Sequence, residues 1–111
     1  MPEPRLAAGI WVSAYLARLG LANIPAYVTA RGDYSAGAVL VKCAHLDGSA
    51  ALYGREWDFD SDSRFWHRLV QGPEPQVDAA IARQRGFDPD LWVIEVEDRE
   101  GRTLLDEPGL A

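Results

Sequence analysis

Two β-prone runs in the middle of the chain, residues 37–43 (GAVLVKC) and 49–55 (SAALYGR), are separated by only Ala44-His45-Leu46-Asp47-Gly48. A five-residue connector with glycine near its end is a hairpin signal, so the chain must build an antiparallel ladder there. Upstream, Leu6, Ile10, Ala14, Ala17 and Leu21 recur at helical spacing, with Trp11, Leu16 and Leu19 widening the stripe. That pattern predicts an amphipathic helix over residues 6–21, ended by Asn23 and Pro25. The segment 26–30 (AYVTA) predicts a first strand stopped by Arg31-Gly32-Asp33, and 65–70 (FWHRLV) a fourth strand with no cleanly polar face. Residues 75–85 open on proline, carry Asp78 early and Arg83 and Arg85 late, and precede Gly86, the boundary pattern of a second helix. Residues 91–96 (LWVIEV) predict a last strand, and Pro108 with Gly109 suggests that the tail from 106 to 111 frays beyond an ordered core of about residues 5–105.

The order α-β-β-β-β-α-β predicts an α+β fold: an antiparallel sheet of about five strands, the first four in a meander, with both helices packed on one face. At 111 residues the chain holds one domain, with about two-thirds of its unfolded surface buried on folding. Eleven Lys and Arg against seventeen Asp and Glu give a net charge of −6, which argues against nucleic-acid binding through phosphate neutralisation. No run reaches the ~18 apolar residues of a membrane span, so no membrane association is expected. Glu3 and the amphipathic continuation through Arg18 argue against reading Arg5 and the uncharged stretch after it as a secretory signal. The single cysteine, Cys43, forms no internal disulfide and fits a buried thiol in a reducing cytoplasm. Its pairing with His45 as a nucleophile lacks any supporting geometry in the sequence.

If the first four strands alternate in direction, the 31–36 and 57–64 loops lie at one end of the sheet, and the second helix returns the 86–90 connection to that end. Arg31, Asp33, Asp58, Asp60, Asp62, Arg64, Arg83, Arg85, Asp88 and Asp90 are then expected to converge. The competing reading of this cluster is an ion-pair and turn-capping network. Asp58-x-Asp60-x-Asp62 resembles the start of a calcium loop, but Ser63 stands where glycine is needed and Leu69 where a bidentate glutamate belongs, so no metal is assigned. His45 and His67 lack zinc-ligand spacing, and no phosphate-binding glycine loop or nucleophile elbow occurs, so no catalytic residue and no cofactor are assigned. Among four tryptophans, Trp11 and Trp92 are expected in the core, whereas Trp57 and Trp66 with Arg55 and Arg68 form a candidate binding patch.

Gly9-Ile10-Trp11-Val12, Arg31-Gly32-Asp33 with residues 36–42, and Asp88-Pro89-Asp90-Leu91-Trp92-Val93 with Glu97-Asp98 together resemble the bacterial family catalogued as domain of unknown function 1491. The resemblance runs from about Arg5 to Leu105. It implies small stand-alone bacterial proteins and carries no activity, cofactor or catalytic residue to this chain. The residues therefore point to a non-enzymatic protein-binding or regulatory module, engaging a protein partner or a second copy through Arg31, Asp33, Arg55, Trp57, Asp58, Asp60, Trp66, Arg83, Asp88 and Asp90. The alternative is a small enzyme or anionic-ligand-binding protein with a pocket between the 31–36, 57–64 and 86–90 loops.

Overall fold

In the computed structural model, which describes residues 6–111, the first helix, α1, spans Ala8–Leu21. Its N-terminus has no side-chain cap; instead the N–H groups of Ala8 and Gly9 donate to the carbonyls of Ser35 and Tyr34 at 3.3 and 2.8 Å. A distant loop thus satisfies two of the orphan donors at that helix end. The other end closes on Asn23, whose φ of 59° is the left-handed conformation that asparagine tolerates. Ile24 N–H then reaches back to the Leu19 carbonyl at 2.9 Å, and the two side chains are buried together.

The remaining elements are β1 (Ala26–Ala30), β2 (Val39–Ala44), β3 (Ser49–Asp58), β4 (Ser63–Pro73), α2 (Glu74–Phe87) and β5 (Trp92–Glu97). The α+β class, the two helices, the five strands and their order agree with the sequence reading. The central hairpin forms as expected, with Leu40 opposite Gly54 and Ala44 opposite Ala50. Both strands of the following hairpin run longer than anticipated, because Ser63 to Pro73 pairs continuously with Ser49 to Asp58 around one irregularity at Leu52 and Tyr53.

Two features of the sheet correct the expectation. The strand order is β1-β5-β2-β3-β4 rather than a meander, and β5 runs parallel to β2 while every other pair is antiparallel. The cause lies in β5 itself: Trp92, Val93, Ile94 and Val96 fill both faces and need a neighbour on each side, whereas most of β1 is exposed and suits an edge. The helices also lie on opposite faces rather than one. Alternation along β2 sends Val39, Val41 and Cys43 to α1, where they pack with Trp11, Tyr15, Leu19 and Ile94. Leu40 points the other way, to a smaller core with Leu52, Val77 and Leu91 beneath α2.

The end of the chain is docked rather than frayed. Leu105 and Leu110 join the α1-side core, the Trp66 indole Nε1 donates to the Leu110 carbonyl at 2.6 Å, and Arg18 donates to the Pro108 carbonyl at 2.9 Å. Proline and glycine there shape a turn, with Gly109 at a φ of 88°, and leave Leu110 free to bury. No helix among the described residues is long and apolar enough to cross a membrane.

Candidate binding surface

Because β1 and β2 flank β5, the 31–38 connection must cross over the start of β5. That crossing brings the 31–36 and 86–90 loops together, as their expected placement at one end requires. Asp33 N–H donates to the Asp90 carbonyl at 2.9 Å, and the Trp92 indole donates to the Asp33 carbonyl at 2.7 Å. Gly32 makes the approach possible, since a Cβ there would sit 2.1 Å from the Asp90 carbonyl oxygen. Arg85 donates to the carbonyls of Arg31 and Leu91, and the Arg31 guanidinium lies 5.6 Å from the Trp92 ring centre.

The carboxylates at this end serve their own turns. Asp33 accepts the Ala36 N–H at 2.8 Å, and Asp88 accepts the Asp90 N–H at 3.1 Å. Asp58 accepts Ser61 Oγ at 2.9 Å and the Asp60 N–H at 3.0 Å, and these bonds, the hydroxyl first, hold its carboxyl below the usual range. This is the geometry of Asx turns. Arg83 is exposed on α2, and the side chains of Asp60 and Asp62 are exposed at the β3–β4 tip.

Beyond Gly54, β3 has no pairing with β2, so the outer hairpin projects from the sheet as a two-stranded ribbon. Register places Arg55 opposite Trp66, Trp57 opposite Arg64 and Tyr53 opposite Arg68, all on the α1 side. The four-residue patch anticipated from sequence therefore shares a face but divides in depth. Arg55 lies over Trp11 and Trp66, at 4.8 and 5.0 Å from their ring centres, and those rings are 5.3 Å apart. That cluster is half inside the core, a cation held against two indole faces. Trp57 and Arg68 remain at the surface. Sequence reasoning missed Phe59, 87% exposed at the ribbon tip, and Phe65, 40% exposed on the opposite face. The available signal was a phenylalanine set between two aspartates, Asp58 and Asp60, in a turn that cannot bury it.

Alongside β4 lies a cavity of about 830 Å³, walled by Tyr53 and residues 64–68 on one side and by the 100–111 segment on the other. Of the ten candidate residues only Trp66 lines it.

Two further groups are settled by burial. Lys42, 5% exposed, meets Asp78 at 2.7 Å, Glu95 at 3.3 Å and Glu74 at 3.4 Å. Burial works against its charge, but the Asp78 hydrogen bond and the Glu95 carboxylate outweigh it and hold the ammonium protonated beyond its ordinary range. It pins α2 to the sheet. Cys43 is fully buried, and burial, aided by the Asp98 charge, pushes its thiol up to about 11. His45 instead faces Ser49, with Nδ1 3.0 Å from Oγ. Cys43 is an inert core thiol.

A family model described as "Protein of unknown function (DUF1491)" matches residues 6–106. This chain belongs to the DUF1491 family. A crystal structure of a DUF1491 family protein from Caulobacter crescentus CB15 is 42% identical, covering 93% of this chain and 95% of that one, with a TM-score of 0.80. An NMR structure of a DUF1491 family protein from the same organism gives the same identity and TM-score over 96% and 97% of the two chains. A solution structure of a protein from A. tumefaciens is 33% identical over 91% and 92%, with a TM-score of 0.75. No curated protein matches the chain. The extent of these matches fixes the α+β architecture as the DUF1491 architecture, and the family description assigns no activity.

Proposed function

We propose that this DUF1491 protein is a non-enzymatic protein-binding module, with the projecting β3–β4 ribbon as its contact surface. The observation that carries this reading is the ribbon's exposed aromatic set: Trp57, Phe59 and Phe65 are 36, 87 and 40% exposed on a segment that has no further sheet neighbour among the described residues. Exposed aromatics clustered on one element are the composition of binding hot spots. Asp58 and Asp60 on the ribbon, with Arg31, Asp33, Arg83, Asp88 and Asp90 at the same end of the sheet, supply a charged rim. A reducing, cytoplasmic setting suits the lone buried thiol. The alternative of a small enzyme with a pocket among the three loops has less support, because the Asp33 and Asp88 carboxylates accept backbone N–H groups and the cavity lies elsewhere.

The test compares proteins captured from native cells by the tagged chain and by a Phe59→Ser, Phe65→Ser double variant of unchanged melting temperature. Loss of specific proteins from the variant's set supports the ribbon as the contact. Identical sets overturn it, and capture of the chain's own untagged copy alone would make the module a self-associating one.

A further inference from the structure

We propose that edge strand β4 accepts an extended acidic segment of the partner by strand addition, an inference that rests on the binding-module reading and gives the partner its chemistry. Strand β4 is eleven residues long and among the described residues pairs only with β3, so the backbone groups on its outer side are available to a further strand. In a chain of net charge −6, residues 63–73 carry Arg64 and Arg68 on one face and no acid, and His67 on the other face meets Glu56 of β3 at 3.2 Å. This local reversal of sign chooses among occupants. Antiparallel pairing with a second copy centred on Trp66 would set Arg64 opposite Arg68, and like charges facing across a ladder are destabilising. A strand with carboxylates at those positions complements the edge instead.

The cavity beside β4 refines the pattern. Residues 64–68 line it along β4, and register sets Arg64, Trp66 and Arg68 on one face of the strand, while the opposite wall bears Asp106 and Glu107. A uniformly acidic segment would be repelled by that wall. The fitting sequence has two acidic residues four apart, aimed at Arg64 and Arg68, with an apolar residue midway over the Trp66 indole.

The probe is a displayed library of random peptides of about twelve residues, enough for one strand and its flanks, selected on the immobilised full chain. Enriched peptides with that acid-apolar-acid spacing, whose binding shifts the amide resonances of residues 63–70 and 104–110, support the proposal. Arg68→Glu should then weaken the best peptide by about tenfold or more, while Arg68→Lys should stay within about threefold. Peptides lacking the acidic pair, peptides mapping elsewhere, an oligothymidine displacing the best peptide, or no enrichment would each overturn it. If the captured set still depends on Phe59 and Phe65 while no acidic peptide emerges, the module stands and strand addition fails.

Discussion

The β3–β4 ladder is one continuous hairpin with two unlike halves. From Ser49 to Gly54, β3 lies between β2 and β4, and Ala50, Ala51 and Leu52 are buried. From Arg55 to Asp58 its one partner strand among the described residues is β4, and Trp57, Phe59 and Phe65 are exposed, while Trp66 reaches back to Trp11 and the Leu110 carbonyl. An isolated two-stranded ribbon is marginally stable in water. The inner half therefore supports the outer, and aromatic residues that would strengthen a core are held where only another molecule can cover them.

Leu52→Ala should give the largest effect, about 3 kcal/mol in urea unfolding, by opening a cavity under α2. A loss no larger than that of a ribbon substitution would erase the distinction between the halves. Lys42→Ala should follow at about 2–3 kcal/mol, toward the low end for a broken buried pair because Asp78 and Glu74 are partly hydrated and can remain so. Its alkaline counterpart comes from Cys43. The folded chain holds that proton more tightly than the unfolded chain, so stability is intact below about pH 9 and falls as pH rises toward about 11. The slope reaches at most about 1.4 kcal/mol per pH unit, and comparing urea unfolding of Cys43→Ala with the wild type across that window should show it reduced in the variant. Smallest is Phe59→Ser at the ribbon tip, within about 0.5 kcal/mol by the same measurement. A large destabilisation there would mean that the tip is packed, and would remove its claim to be a contact surface.

Strand directions were legible in the sequence because each short turn reverses the chain whatever lies beside it. Hence the meeting of Arg31 and Asp33 with Asp90 could be anticipated. Adjacency was not legible: the connection over residues 31–38 is long enough to pass over an intervening strand, a step of ~10 Å between next-but-one neighbours. Nor does sequence announce the partners of Lys42, a lone charge in an apolar run whose carboxylates come from α2 and β5. The tail misled differently, since Pro108 and Gly109 outweighed the signal of Leu104, Leu105 and Leu110. For the candidate residues, the sequence identified carboxylates at the right end of the sheet but could not show that local N–H groups engage them.

The placement of β5 has a consequence for synthesis. Among the described residues strand β1 joins the sheet through β5 alone, and β5 is made after the other four strands and both helices. Until residues 92–97 have left the ribosome, β1 has no partner and the loop that meets Asp90 has nothing to cross. A stop before Trp92 would therefore remove one strand and orphan another, so closure of the sheet waits for β5.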